Sequence, residues 1–299
     1  MIEAEKLTKR FGGRTVVDDV TFRCEPGTVT GFLGPNGAGK TTTMRMICGF
    51  ATPDAGRAGV LGGEYRRLPN PGRRVGVLLD ASAQHGGRRG REALAISAQT
   101  MGVEEKRVDD LLGLVGLDRA AARKRVRQYS LGMRQRLGIA NALIGEPEVL
   151  ILDEPANGLD PEGMRWMRGL LRDFADRGGT VLLSSHLLHE IEVIADDLVV
   201  IGNGKIVAAG TKEELLAAAG TLARSTSPRD LAHALEQAGI PSTLAGDGSV
   251  RTDADPARVG SVALTAGIPL TELRSAEGTG LEDMFLSLTA DTQREGVAA

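Results

Sequence analysis

"GFLGPNGAGKTTTM", residues 31–44, is the stretch that decides the fold of this chain. It begins inside the apolar run "TVTGFL" (28–33), which suits a strand buried on both faces, and it ends in a segment with helical spacing of apolar residues. Between them, residues 34–41 match the pattern G-x-x-x-x-G-K-[ST]. Such a loop turns backbone N–H groups and a helix N-terminus toward an anion. The stretch predicts a phosphate cradle, against the alternative of a glycine-rich turn that binds nothing.

The composition is that of a globular chain with a proper core. The chain has 299 residues, of which 41% are hydrophobic, and a net charge of −3. It contains no apolar run of about 18 residues, the length that a membrane-spanning helix needs, and no charged-then-apolar leader. We therefore expect a cytoplasmic protein whose two cysteines, Cys24 and Cys48, are reduced core residues rather than a disulfide or a metal pair.

The distribution of charge argues against a general nucleic-acid surface, which needs a basic stripe. Three local basic runs are present nevertheless: "RRLPNPGRR" (66–74), "GGRRGR" (86–91) and "RKRVR" (123–127). Runs of this kind are usually solvated loop and helix faces, and the alternative is contact with phosphate or lipid head groups.

Strand and helix patterns alternate after the cradle. Strand character returns in "EVLILDEP" (148–155), in "TVLLSS" (180–185) and in a hairpin that turns at Asn203-Gly204. Helical spacing from Arg91 to about Gly116, and again from Gly132 to Leu143, indicates a helical insertion between strands. This order predicts a mixed α/β core that binds phosphates at the carboxyl ends of its strands.

After Gly210 the character of the sequence changes. An exposed helix is followed by strand, helix, hairpin, helix and strand, an order that predicts a small split-βαβ module. The predicted divisions are a domain at 1–215 with a helical subdomain at about 81–147, a C-terminal α+β module at 220–289, and a disordered tail at 290–299.

Two adjacent carboxylates, Asp153 and Glu154, end the apolar strand "VLILDEP". Adjacent carboxylates at the mouth of a buried strand are costly unless a cation or a reacting water uses them. We expect Asp153 to hold the hydration shell of Mg²⁺ and Glu154 to accept a proton from the water that attacks a γ phosphate. The alternative is a strand that merely ends in acidic loop residues.

Four motifs in one order carry a resemblance to a known family: the cradle, "YSLGMRQRLGIA" (129–140), "DEPANGLD" (153–160) and "SSH" (184–186). The chain resembles the ATP-binding subunit of an ATP-binding cassette (ABC) transporter over residues 1 to about 215. The resemblance implies the P-loop NTPase core of ABC type, with residues 34–42 as the Walker A loop and 149–154 as the Walker B strand.

The resemblance also implies a set of site residues. Glu154, His186 and Lys40 would be catalytic, with His186 as the switch histidine that touches the γ phosphate. Thr41, Asp153 and Asp80 would serve Mg²⁺. The residues implied in binding ATP are Phe11, Gly34, Pro35, Asn36, Gly37, Ala38, Gly39, Lys40, Thr41, Thr42, Ser130, Gly132 and Asp160.

Three of these assignments have simpler alternatives. Phe11, which would stack on adenine, is otherwise a strand core residue. His186 is otherwise a neighbour of a helix cap, and Ser130 is otherwise no more than an N-cap. In the resemblance, Ser130 and Gly132 contact the γ phosphate of ATP held by a second copy, so the site is completed by dimerisation.

The chain departs from the family pattern at two places. Leu131 and Met133 replace the glycine and glutamine of the LSGGQ signature, whereas Ser130 and Gly132 are retained. Asp80 stands where the glutamine of the Q-loop is expected, and Gln84 follows four residues later. The acidic residue resembles a subset of type-2 drug exporters.

The function implied is that of an ATPase that powers a separately encoded multi-helix permease and exports a drug, antibiotic or lipid-like compound. We expect a homodimer on the inner face of the cell membrane and no nucleic-acid partner. The alternatives are a soluble ABC ATPase acting on nucleic acid or ribosomes, and a kinase that uses the same cradle. Two cassettes on one chain or long coiled-coil insertions would favour the former, and an acceptor-substrate module would favour the latter; none is visible in the sequence.

Overall fold

The structure, a computed structural model, describes residues 1–186, 188–217 and 220–275. The chain divides into two compact units, Met1–Ala209 and a second that begins at Gly210. This division lies close to residue 215, the predicted end of the first domain. The predicted tail at 290–299, and residues 276–289 of the predicted C-terminal module, lie outside the described residues.

The first unit alternates strands and helices as its sequence pattern predicts. Its elements in chain order are β1 (Ile2–Phe11), β2 (Arg14–Cys24), β3 (Val29–Leu33), α1 (Lys40–Ile47), β4 (Ala55–Val60), α2 (Pro71–Arg74), β5 (Val75–Leu78), α3 (Gly90–Met101), α4 (Lys106–Leu114), α5 (Arg119–Arg123), α6 (Leu131–Leu143), β6 (Val149–Asp153), α7 (Pro161–Asp176), β7 (Thr180–Ser184), α8 (Leu188–Ile194), β8 (Asp197–Gly202) and β9 (Lys205–Thr211). Short 3₁₀ turns at Tyr65–Arg67 and Val126–Gln128 complete the unit.

A six-stranded sheet in the order β5-β6-β7-β3-β8-β9 carries the site. The pairs from β5 to β8 are parallel, so that β3, β6 and β7 end at the same edge. All residues of β3, β6 and β7 are buried, because both faces of the sheet are covered. The turn at Asn203-Gly204, with φ of 46° and 81°, joins β8 and β9 as the predicted hairpin.

An antiparallel sheet in the order β2-β1-β4 shares a hydrophobic core with the larger sheet. Cys24 and Cys48 are free thiols inside this core. Burial raises the pKa of each thiol to about 12, so both remain protonated near neutral pH. The expectation of core cysteines is confirmed.

The predicted helical insertion is formed by α3 to α6. The helical pattern from Arg91 to Gly116 is divided into two helices, because Gly102 ends α3 in the left-handed region with φ of 67°. No helix in the described residues is both long enough and apolar enough to cross a membrane.

The second unit has the predicted order of elements. They are α9 (Lys212–Ala217), β10 (Thr221–Ser225), α10 (Pro228–Gln237), β11 (Ser242–Leu244), β12 (Val250–Thr252), α11 (Pro256–Thr265) and β13 (Leu270–Ser275). The strands form an antiparallel sheet in the order β11-β12-β10-β13, the interleaved order of a split βαβ fold. Leu231, Leu235 and Val259 of the two long helices anchor its core.

Candidate nucleotide-binding site

The glycines of the cradle are required for two different reasons. At Gly34, a Cβ atom would lie 2.5 Å from the backbone oxygen of Ile201, so only glycine lets the loop pass this close to β8. Gly39 has φ of 109° and directly precedes α1, and its Cβ would lie 2.8 Å from the Val16 oxygen. The sequence pattern indicated backbone freedom, and the structure adds close packing against neighbouring strands.

The other predicted cradle residues surround the N-terminus of α1. Ala38 is buried and donates its N–H to the Pro35 oxygen at 3.1 Å, which closes the loop. Asn36 and Gly37 are exposed at its tip. Thr42 lies half-buried in the first turn of α1.

Lys40 is the buried cation of the cradle, with 7% of its surface exposed. Its Nζ donates to the Gly34 oxygen at 2.5 Å and to the Pro35 oxygen at 3.3 Å. Burial lowers the pKa of Lys40, and the charges of Glu154 and Asp153 oppose this shift. The ammonium group is thus held inside the loop beside two carboxylates, where an anion can replace the carbonyl oxygens as its partner.

Asp153 receives two hydroxyl groups at the carboxyl end of β6. Thr41 Oγ1 donates to Asp153 Oδ2 at 2.5 Å, and Ser184 Oγ donates to Asp153 Oδ1. A hydroxyl oxygen and a carboxylate oxygen in direct contact are the hard ligands that Mg²⁺ takes, the rest of its shell being water and phosphate oxygens. The described residues contain no cluster of three or more acidic, histidine or cysteine side chains that could hold a metal ion.

Glu154 directly follows the strand and has a positive φ of 51°. This conformation is uncommon for a residue other than glycine, and it takes the backbone out of the strand ladder. Two side chains satisfy the displaced groups. The Glu154 N–H donates to Ser184 Oγ at 3.1 Å, and Gln135 Nε2 donates to the Glu154 carbonyl oxygen at 3.0 Å.

His186 contacts the Glu154 carboxylate through two groups. Its Nδ1 lies 2.6 Å from Glu154 Oε2, and its backbone N–H donates to the same oxygen at 3.2 Å. The structure therefore brings together the predicted base and the predicted switch histidine, which are separated by 32 residues in sequence. This contact favours the site role of His186 over that of a helix-cap neighbour.

Phe11 ends β1 with 54% of its surface exposed, which excludes the alternative of a strand core residue. Lys9 Nζ lies 5.4 Å from the centre of its ring. An exposed ring beside a cation is available for stacking on a base. Its role in binding adenine remains a prediction.

Ser130, Gly132 and Asp160 form a separate group at two helix N-termini. Ser130 Oγ caps α6 by accepting the Met133 N–H at 3.2 Å, and Asp160 Oδ1 caps α7 by accepting the Gly163 N–H at 2.9 Å. A Cβ atom at Gly132 would lie 2.6 Å from the backbone oxygen of Gly158, so the N-terminus of α6 is in contact with the loop that joins β6 to α7. Within the described chain, no recorded contact joins this group to Lys40.

Asp80 follows β5, and its recorded hydrogen bonds stay within its own loop. Its Oδ1 accepts the Ser82 hydroxyl at 2.6 Å and the Ser82 N–H at 2.7 Å. These two hydrogen bonds lower the pKa of Asp80. In the described structure no recorded contact joins it to Thr41 or Asp153, so its role at Mg²⁺ stays a prediction. Asp80 and Gln84 line one cleft with Arg45.

Ser184 and Gln135 are the two site residues that the sequence reasoning missed. Ser184 pairs in register with Asp153 and ends the neighbouring strand, so the rule that parallel strands end at one edge could have found it. Gln135 lies on α6 and is 4% exposed, and its contact depends on how that helix packs. No sequence signal marks it.

The chain is similar to known proteins in sequence and in fold. A family model described as ABC transporter matches residues 17–157. The bacitracin transport ATP-binding protein BcrA of Bacillus licheniformis is 41% identical over 210 residues, which span 69% of this chain and 68% of that protein. The uncharacterized ABC transporter ATP-binding protein YhcH of Bacillus subtilis is 35% identical over 99% of this chain and 98% of its own length, so that similarity includes the second unit.

A solved structure described as the ATP-binding subunit of an ABC transporter has the same fold. It superposes with a TM-score of 0.66 and 28% sequence identity, and the match covers 72% of this chain and 91% of that structure.

Proposed function

The chain belongs to the ABC transporter family as an ATP-hydrolysing subunit, and we propose that it powers the export of a drug, antibiotic or lipid-like compound through a separate membrane permease. The observation that carries the proposal is the contact between Glu154 and His186 beside the phosphate cradle. A carboxylate and an imidazole in direct contact supply the kind of groups that general-base attack of water on a γ phosphate requires, which supports the proposal.

Each residue of the site has a distinct task in this proposal. Lys40 and the N-terminus of α1 hold the β and γ phosphates of ATP. Glu154 orients the attacking water and takes its proton as the bond between the γ phosphorus and the bridging oxygen breaks. His186 holds the Glu154 carboxylate in place through its backbone N–H and Nδ1, and its other ring nitrogen would contact the γ phosphate. Phe11 stacks on the base.

Mg²⁺ fits the pair of oxygen donors on Thr41 and Asp153. When bound, it would neutralise the charge that develops on the phosphate oxygens. Ser184 fixes the Asp153 carboxylate by a short hydrogen bond, so that one rotamer is presented to the site.

The proposed homodimer would bring together Ser130 and the phosphate cradle, which make no contact within one described chain. Ser130 presents its hydroxyl and the N-terminus of α6 at an exposed position, without a recorded contact to Lys40 in the described chain. A second copy would bring Ser130 and Gly132 to the γ phosphate, where the N-terminus of a helix favours an anion. Two ATP molecules would then lie between two chains.

The permease is expected at the cleft that contains Asp80 and Gln84. This cleft has a volume of about 460 Å³, and its lining includes Phe50, Tyr65, Met101 and Asn141. Phe50 is 62% exposed, and a large exposed aromatic next to a cleft is typical of a protein interface. Docking here would hold the chain on the inner face of the cell membrane.

The cargo is inferred from relatives named for export. Bacitracin transport is part of the name of BcrA, and this supports a compound of the antibiotic type. The alternative of a soluble ATPase acting on nucleic acid or ribosomes has no support among the relatives described above.

The test is reconstitution of the chain with its permease in vesicles. ATP added on the side of this chain should drive bacitracin or a related antibiotic across the membrane, whereas a Glu154→Gln chain assembled with the same permease should not. Co-purification with ribosomes or RNA instead of a multi-helix membrane protein would contradict the proposal.

A further inference from the structure

Two of the three basic runs, far apart in sequence, meet in the structure. Residues 86–89 pair antiparallel with residues 125–127: the Val126 N–H donates to the Arg88 oxygen at 2.8 Å, and the Arg127 N–H donates to the Gly86 oxygen at 2.9 Å. The backbone pairing brings six exposed cations onto one part of the helical insertion. We call this set the basic surface: Arg88, Arg89, Arg123, Lys124, Arg125 and Arg127.

Most cations of the basic surface form no side-chain ion pair within the described residues, although the Arg89 N–H also donates to Glu92. Arg88 pairs with Glu92 at 2.7 Å. The other five form no ion pair within the described residues. Three acidic groups on adjoining elements already have other partners: Asp109 and Glu105 bind Arg91, and Asp118 accepts the Ala121 N–H as the cap of α5.

The third basic run differs in this respect. Each arginine of the 66–74 run has a partner: Arg66 donates to the Gly49 oxygen, Arg67 pairs with Glu64, Arg73 donates to the Gly102 oxygen, and Arg74 pairs with Glu148. Arg67 and Arg74 are therefore neutralised by carboxylates, whereas Arg66 and Arg73 donate to uncharged carbonyl oxygens and keep their net charge. The two neutralised arginines offer a control within the chain.

The side chains of the basic surface favour anionic lipid head groups over a protein or a nucleic acid as its partner. The two runs contribute glycine, arginine, lysine and a buried Val126, so they lack the apolar anchors on which protein interfaces depend. Neither run contains an aromatic residue that could stack on a nucleic-acid base, and Tyr129, two residues after the second run, is buried. Clusters of four to eight Lys and Arg residues are typical of contact with anionic lipid head groups.

We propose that the basic surface binds the anionic head groups of the membrane leaflet on which the permease lies. The inference rests on the proposed function, because the chain must work at a membrane. The loop of residues 80–89 leads from the permease cleft directly into the basic surface, so docking at the cleft and contact with lipid would occur on adjacent parts of the molecule.

The test is binding of the purified chain to vesicles without any permease. The chain should sediment with phosphatidylglycerol vesicles, not with phosphatidylcholine vesicles, and binding should fall as salt is raised. The triple variant Arg123→Gln, Arg125→Gln, Arg127→Gln should weaken binding by about 10- to 100-fold. The control variant Arg67→Gln, Arg74→Gln, which removes two arginines that are already paired with carboxylates, should bind as the wild type does.

A charge-preserving variant separates lipid from protein as the partner. Arg123→Lys, Arg125→Lys, Arg127→Lys should bind anionic vesicles normally, since a lipid surface responds to charge and a bidentate protein contact requires the guanidinium group. Thermal melting and ATP binding report whether each variant is folded. Equal binding to neutral and anionic vesicles, or no binding to either, overturns the proposal while leaving the ATPase function intact. If the wild type does not bind vesicles and the glutamine triple variant loses permease assembly or RNA binding, the basic surface belongs to that partner instead.

Discussion

At the scale of single residues, the site is organised around the backbone and side chain of Glu154. Its side chain contacts His186, its N–H contacts Ser184 and its carbonyl oxygen contacts Gln135. A positive φ at a residue other than glycine costs roughly 1–3 kcal/mol, and these contacts hold it in place. Strain of this kind is typical of residues that must point at a reacting group.

Glu154→Gln should remove the base and leave the cradle unchanged. Hydrolysis should fall by roughly 10²- to 10⁴-fold, ATP should still bind, and the chain should accumulate as an ATP-bound dimer. Lys40→Ala is the contrasting variant, because it should impair nucleotide binding or hydrolysis without trapping a dimer. Turnover assays and gel filtration with ATP measure both, and unchanged turnover in Glu154→Gln would remove Glu154 from this role.

Gln135 is expected to act through the Glu154 backbone. Gln135→Met keeps the volume without a hydrogen-bond donor, and Gln135→Glu places a carboxylate beside the Glu154 carbonyl oxygen. Both should lower kcat about tenfold or more, the equivalent of losing one buried hydrogen bond. KM for ATP should change by less than about twofold, because Gln135 has no recorded contact with the cradle in the described chain. A rise in KM with unchanged kcat would argue against this positioning role.

Asp80 should influence the Mg²⁺ dependence of hydrolysis. Its pKa lies below the usual range because Ser82 donates two hydrogen bonds, so the carboxylate is charged throughout the neutral range. Asp80→Gln keeps an oxygen and should shift the Mg²⁺ titration modestly, and Asp80→Ala should uncouple hydrolysis from transport. Ser82→Ala controls for loop geometry. If the Mg²⁺ titration curves of the wild type and both Asp80 variants superimpose, with and without the permease, Asp80 is only an exposed loop acid. Gln84 is then the next candidate for the Q-loop role.

At the scale of elements, α6 and the loop before α7 interlock. A Cβ atom at Gly158, which has φ of 76°, would lie 2.5 Å from Leu131 Cγ. Gly132 approaches Gly158 from the other side, and Gln135 binds Glu154 one turn further along α6. The helix that would offer Ser130 to a second copy in the proposed dimer is thus packed against the loop that holds Glu154, the proposed base, of its own chain.

Gly158→Ala should disturb this interlock. A left-handed backbone at alanine costs about 1–2 kcal/mol, and the collision with Leu131 should add about 1–3 kcal/mol. Gly102→Ala is the matched control, because Gly102 has φ of 67° and open space around its Cβ position. Gly158→Ala should therefore melt at a lower temperature than Gly102→Ala and hydrolyse ATP more slowly. Equal melting temperatures and equal hydrolysis rates of the two variants would show that the contact between residue 158 and Leu131 does not contribute to stability or activity.

At the scale of the whole molecule, the functional groups fall into two sets. Lys40, Thr41, Asp153, Glu154 and His186 are linked by hydrogen bonds or charge within one chain. Ser130, Gly132 and Asp160 share another region. The proposed dimer joins the two sets across the interface.

Mixing two inactive chains tests the composite site. A Lys40→Ala chain paired with a Ser130→Arg chain contains one intact site, so activity should partly return. A mixture of Lys40→Ala with Glu154→Gln should remain inactive. Lys40 and Glu154 serve the nucleotide held by their own chain, so each of the two sites in the mixed dimer contains one defect. Turnover by a monomer, independent of protein concentration, would contradict the sandwich.

The sequence alone determined the class of fold and the position of the phosphate cradle. Both depend on signals that are contiguous in the chain: residues 34–41, the strand that ends in Asp153 and Glu154, and the alternation of strands and helices. The hairpin at Asn203-Gly204 and the order of the second unit were predictable for the same reason, since turn chemistry and short-range periodicity are local.

Only the tertiary structure decided which of these groups meet. The contacts of Glu154 with His186, Ser184 and Gln135 depend on the order of strands in the sheet and on the packing of α6. It also decided which arginines of the basic runs are paired with carboxylates and which two runs converge. The physical reason is that spacing along a chain reports which face a residue occupies within its own element, whereas contacts between distant residues follow from how the buried faces of different elements pack together.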